Sequence, residues 1–300
     1  MRRERPSIGD SARYAASAAG PATGQTIGPA VGGPADGMAA RSTSAGDYQH
    51  VPRPVAAMPK SFPDGYAIDW HRHERHQLLF ATSGVMSVAT VDASWVVPTE
   101  RALWLPAGID HRVTMSGTVR MRTLYLGEAA SASMPAACTV IGVTPLLREL
   151  IVRATRLPVL YDERGPAGRL MQVLLDELYA MPSLPLHLAL PIDPRLRDLC
   201  RQILSEPSRD ETLEHWAGMQ GISARTLARR FRAQTGMSFG QWRQQARLLE
   251  ALRRLGSGQS VTAAALDVGY DSASAFSAMF KRTLGLTPVD YLSRQRRPTD

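Results

Sequence analysis

The feature that most constrains this 300-residue chain is an internal repeat in its last third. Shifted by 49 positions, Phe231 falls on Phe280, Gly236 on Gly285, Leu227 on Phe276, Met237 on Leu286 and Trp242 on Tyr291. Ala217 falls on Leu266, Ser223 on Ser272 and Ser238 on Thr287 under the same offset. A period of this size means one supersecondary unit used twice, each copy burying an apolar face against its neighbour.

The unit reads as helix, turn, helix. Thr212 is placed to N-cap a short helix reaching Gln220, with Leu213, Trp216 and Ala217 facing inward. Gly221 supplies the left-handed conformation of a tight turn, and Ser223 caps a second helix from Ala224 to about Thr235. Leu227 and Phe231 form its buried stripe, and Arg225, Thr226, Arg229, Arg230 and Arg232 its exposed face. In the second copy Ser260 caps 261–268, Gly269 turns, and Ser272 starts a helix whose stripe is Phe276, Met279 and Phe280. Between the copies, 239–255 predicts a connecting helix of about 25 Å.

Charge is concentrated in the same region. Residues 193–300 carry 17 basic and 11 acidic residues, a net of +6 out of +8 for the whole chain. That is the electrostatic footprint of a polyanion partner. Cys138 and Cys200, the only cysteines, cannot form a disulfide framework or an all-cysteine zinc site. No apolar run approaches the roughly 18 residues of a membrane span, and no leader pattern opens the chain. The expectation is a soluble, cytoplasmic protein with no membrane partner.

Upstream, residues 1–54 are rich in Ala, Gly, Ser, Pro and Arg and predict a disordered tail. Over 55–135, short runs at 78–80, 85–88, 94–97, 102–105 and 121–126 are separated by turn residues, which argues a small β sandwich or barrel. Residues 136–192 read as two helices and a proline-marked linker. The stripe Leu170, Leu174, Leu178 either packs on the β domain or forms a dimer surface.

Two resemblances follow from these residues. The run Ser223-x3-Leu227-x-Arg229-x-Phe231-x4-Gly236-x-Ser238 resembles the AraC/XylS type of bacterial transcription regulator. So does Ala263-x5-Gly269-Tyr270-Asp271-Ser272-x3-Phe276-x3-Phe280-Lys281-x3-Gly285-x-Thr287-Pro288-x2-Tyr291. The resemblance implies two helix-turn-helix units joined by a connecting helix, with the second helix of each unit in the major groove of double-stranded promoter DNA. Base edges would then be read from Arg225, Thr226, Ala228 and Arg229, and from Ala273, Ser274, Ser277 and Ala278. Arginine suits this because its fork spans the O6 and N7 acceptors of guanine. Arg230, Arg232, Arg243, Arg247, Lys281 and Arg282 would contact phosphates, which position without specifying. The expected partners also include a second copy of the chain, as a homodimer through the Leu170, Leu174, Leu178 stripe, and RNA polymerase where the regulator is an activator.

The pattern His71-x-His73-x3-Gln77-x6-Gly84, followed by Pro106-x-Gly108-x2-His111, resembles the two cupin motifs. Cupin enzymes hold a divalent metal with three histidines and a glutamate. Here Gln77 stands at the glutamate position and Met115 where an asparagine is common; His76 has the opposite strand parity. These residues therefore either line a pocket for a small-molecule effector or hold a divalent metal. The expected fold is α+β and multidomain: a cupin-like barrel, then an all-α DNA-binding domain over 193–300. The expected function is effector-responsive transcription regulation rather than catalysis. A cupin enzyme with a DNA-targeting tail is the rival, and alkyl-transfer repair fails for want of clustered cysteines.

Overall fold

The computed structural model describes residues 42–184 and 187–295. The expectation of disorder over 1–41 lies outside the described residues. Residues 42–54 depart from it, because they are packed. Tyr48 is buried and stacks on Tyr125 at 6.0 Å, and the Arg75 guanidinium donates to the carbonyls of Val51, Arg53 and Pro54.

Eleven strands are found among the described residues: β1 (Val55–Phe62), β2 (Ala67–His71), β3 (His76–Phe80), β4 (Val85–Ala89), β5 (Ala93–Val97), β6 (Arg101–Leu105), β7 (His111–Ser116), β8 (Val119–Leu126), β9 (Thr139–Gly142), β10 (Ser183–Leu184) and β11 (His187–Ala189). They form two antiparallel sheets, ordered β1-β8-β3-β6-β9-β10 and β11-β5-β4-β7-β2. Period-2 alternation gives each sheet two apolar faces. Between the sheets lie Met58, Leu79, Met86, Val97, Leu103, Val113 and Met121.

The outer faces are covered by helices. Helices α1 (Pro145–Ala154) and α2 (Pro166–Tyr179) lie on the first sheet, where Leu147, Ile151, Leu174 and Leu178 join Leu78, Phe80 and Trp104. Of the two readings of the apolar stripe, the structure selects packing on the β domain: Leu174 and Leu178 are 0% and 1% exposed. The proline-marked stretch is no free tether either, since β10 pairs with β9 and β11 with β5.

The remaining helices are α3 (Pro194–Ser205), α4 (Leu213–Met219), α5 (Ala224–Thr235), α6 (Phe239–Gly256), α7 (Val261–Asp267), α8 (Ala273–Leu284) and α9 (Pro288–Gln295). Helices α4 and α5 form the first helix-turn-helix unit, α7 and α8 the second, and α6 joins them. Asp193 caps α3, a helix that sequence reading did not resolve, by accepting from the amides of Arg195 and Leu196. The core of this domain is built on Trp216, Leu227, Phe231, Trp242, Phe276 and Phe280. No helix among the described residues is long and apolar enough to cross a membrane.

Candidate functional site

The second helix of each unit, α5 and α8, is set by a cap at both ends. Ser223 Oγ accepts from the Thr226 amide at 3.2 Å, and Ser272 Oγ from the Ala275 amide at 3.2 Å. Gly236 and Gly285 close α5 and α8 at φ of +72° and +81°, where a side chain would be strained. The interhelical turns are made by Gly221 and Gly269 at φ of +66° and +82°. With Leu227 and Phe231 facing the core, the 3.6-residue period turns Arg225, Arg229, Arg230 and Arg232 to solvent. None of these four is in an ion pair among the described residues. On α8 the corresponding outward face holds Ser274 and Ala278, with Ser277 half-buried and Lys281 and Arg282 exposed.

Two expected phosphate contacts are engaged inside the protein. The Arg247 side chain is only 12% exposed. Its guanidinium donates to the carbonyls of Pro207 at 2.9 Å, Arg209 at 3.0 Å and Gly269 at 3.4 Å, and pairs with Asp210 at 3.3 Å. It therefore ties the approach to the first unit to the turn of the second. Arg243 donates to the Glu211 carbonyl at 3.0 Å, pairs with Asp210 at 3.4 Å and lies over the Phe239 ring.

Inside the barrel, three imidazoles converge from both motifs. His71 ends β2 after a register shift following Ile68, His73 lies two residues on, and His111 opens β7. One ligand nitrogen from each lies within 4.8 Å of the other two. His71 Nδ1 meets the Asp69 carbonyl at 2.7 Å, and His111 Nδ1 meets that of Ile109 at 2.9 Å. A carbonyl only accepts, so in the neutral rings Nδ1 carries the proton and Nε2 keeps its lone pair. The Nε2 atoms of His73 and His111 are buried without a hydrogen-bond partner, and so is Gln77 Oε1. Burial, reinforced by His71 and His111, holds the His73 pKa down to about 3. His111 is lowered too, chiefly by burial. His73 and His111 are therefore neutral, donor-ready rings. His76 stands apart, stacked on Trp104 at 5.2 Å with Nδ1 accepting from the Ala107 amide.

Comparison with known proteins finds two family models along the chain. Residues 62–216 match the family described as the AraC-like ligand binding domain, and 216–294 the helix-turn-helix domain. The HTH-type transcriptional regulator NimR of Escherichia coli strain K12 is 36% identical over 224 residues, covering 75% of this chain and 82% of NimR. The chain belongs to the AraC family of transcription regulators. RipA, an HTH-type regulator of Corynebacterium glutamicum, is 35% identical over 106 residues, 35% of this chain and 32% of its own. Among solved structures, the DNA-binding domain of AdpA in complex with a target DNA covers 36% of this chain and 99% of its own at 34% identity, with a TM-score of 0.33.

This AraC-family regulator thus combines a ligand-binding domain with a DNA-binding one. The histidine cluster also has neighbours that the motif spacing did not point to. Gln77 Nε2 donates to Thr123 Oγ1 at 3.2 Å and lies 3.5 Å from the Tyr125 hydroxyl. The Tyr125 ring meets His73 edge-on at 5.1 Å, and burial pushes its pKa up, so the hydroxyl stays protonated. Alternation along β8 was the available signal, since Thr123 and Tyr125 share the inward face with Met121.

Proposed function

We propose that this regulator senses a divalent transition metal held by His71, His73 and His111, with the Gln77 amide oxygen as a fourth donor. One observation carries the reading: three imidazoles each place a ligand nitrogen within 4.8 Å of the other two, and two of them have buried Nε2 atoms with no hydrogen-bond partner. Imidazole donors suit Zn, Cu, Ni and Fe. With no carboxylate in the set, the charge of a bound ion stays uncompensated and affinity is moderate. That fits reversible sensing better than permanent structural binding, and we assign the pocket no catalysis.

On DNA, the reading gives base contacts to Arg225, Thr226 and Arg229, and a weaker share to Ser274 and Ser277. Phosphate contacts go to Arg230, Arg232, Lys281 and Arg282, with Arg243 and Arg247 acting from inside the fold. The reading also gives the regulator a second copy of itself as partner, RNA polymerase where the outcome is activation, and promoter DNA in the cytoplasm. With Leu174 and Leu178 spent on the barrel, Leu146 and Val173 are the exposed apolar residues on α1 and α2 that a dimer would use.

Metal analysis of protein purified without a histidine tag tests the central claim. The expected result is about one equivalent after loading, lost in His73→Ala. Less than about a tenth of an equivalent overturns the metal reading and leaves the pocket to an organic effector.

A further inference from the structure

The barrel and the DNA-binding helices share a core along α6. Val85 of β4, Val96 of β5 and Leu188 of β11 are buried in one cluster with Trp242, Leu249 and Leu252 of α6. Near the start of α6, Trp242 Nε1 donates to the Ala189 carbonyl at 2.8 Å. At the other end the approach is closer still. A Cβ on Gly256 would lie 2.8 Å from Val85 Cβ and nearer yet to its Cγ2. A Cβ on Gly117 would collide with the Gly256 carbonyl oxygen. Asp64 accepts from the Gly117 amide at 2.6 Å, and its charge supports that of Arg253 on α6. Leu284, the last residue of α8, packs against the barrel interior as well as its own domain.

The closest of these contacts, those of Gly256 with Val85 and Gly117, lie where α6 ends and the second helix-turn-helix unit begins. They also lie at the far end of the strand that carries a pocket histidine. β7 starts at His111 and ends at Ser116, which pairs with Val85, and Gly117 follows. Six residues of strand, about 17 Å, separate the pocket from the seam. Packed interfaces of this kind switch between discrete arrangements, because close-packed interiors do not deform continuously.

We propose that the barrel sets the position of the second helix-turn-helix unit on DNA through the joint of Val85, Gly117 and Gly256. The second unit is the one that such a joint can control. Its outward face is Ala and Ser, so its hold rests mainly on the phosphate contacts of Lys281 and Arg282. A unit without long base-reading side chains is gained or lost by placement, while the arginine face of α5 keeps the first unit bound. That occupancy of the histidine pocket moves the joint rests on the metal reading above; the joint itself does not.

The test is footprinting by the full chain on an operator selected in vitro with the wild-type protein. Gly256→Ala keeps an ordinary helical backbone but drives a methyl group into Val85. Val85→Gly with Gly256→Ala returns the space, because it removes both Val85 atoms that the methyl group would strike. The expected result is that Gly256→Ala loses protection over the second unit's groove, keeps it over the first, and binds about tenfold more weakly, while the double variant regains both. Two-groove protection at wild-type affinity by Gly256→Ala overturns the proposal. So does equal loss over both grooves, or a folded double variant that fails to regain the second. Zinc and chelator arms separate the two readings. A zinc-dependent change over the second groove in the wild type, absent in Gly256→Ala, supports both. Loss of that groove in Gly256→Ala with no zinc effect in the wild type supports the joint and counts against the metal.

Discussion

The two helix-turn-helix units have the same interior and opposite exteriors. Both recognition helices run twelve residues from a serine cap to a left-handed glycine. Phe231 meets Trp242 edge-on at 5.7 Å, and Phe280 meets Tyr291 edge-on at 5.7 Å. Outward, α5 carries four exposed arginines where α8 carries small residues and a cationic end. The scaffold and the reading face are therefore separable constraints. Packing fixes residues at one spacing, and solvent-facing positions between them are free to diverge in what they recognise.

The comparison can be broken first at the scaffold. Phe231 and Phe280 are both fully buried, so Phe231→Ala and Phe280→Ala should each cost about 3–5 kcal/mol. Chemical denaturation of the two variants checks this, and one neutral result would show that the repeat does not bear stability equally. The reading face comes next. Arg229→Ala should lose about 1–3 kcal/mol of discrimination at one base pair, whereas Ser277→Ala should leave base preference nearly intact. Competition binding with singly substituted operators measures both. Arg230→Ala and Lys281→Ala sharpen the contrast, because each should lower the salt slope by about one while leaving sequence preference alone. The smallest effect belongs to the caps. Ser223→Ala and Ser272→Ala should each cost about 1 kcal/mol, seen as a shift in denaturation midpoint.

What could be read from the chain follows the same line between interior and context. The four caps Thr212, Ser223, Ser260 and Ser272 and the glycines 221, 236, 269 and 285 act locally, and each stands in the structure where its chemistry put it. The connecting helix ends within one residue of its expected limit. Strand β2 escaped notice because Ala67–His71 is half-exposed and its register shifts before His71, which hides the alternation. The stripe of α2 showed that a face is buried but not what buries it. Arg247 looked like any surface arginine, since nothing in its spacing reveals that Pro207, Arg209 and Gly269 present carbonyls to it. In the pocket, the histidines were legible from motif spacing. Tyr125 was legible only through the alternation of β8, and Tyr48 was not, because its place depends on how residues 42–54 fold back onto that strand.

The seam along α6 also bears on which parts of this chain can be exchanged. Val85, Val96 and Leu188 complete the interior of the DNA-binding half, so a cut at the prolines near 191 would bare apolar surface on both sides. A chimera that joined this DNA-binding half to another barrel would bring Leu249 and Leu252 against a foreign sheet. Such a graft needs the outward residues of β4, β5 and β11 to travel with the helices. Recombination at this boundary then succeeds only between halves already matched in shape. The ligand-binding half and the DNA-binding half are therefore bound to change together.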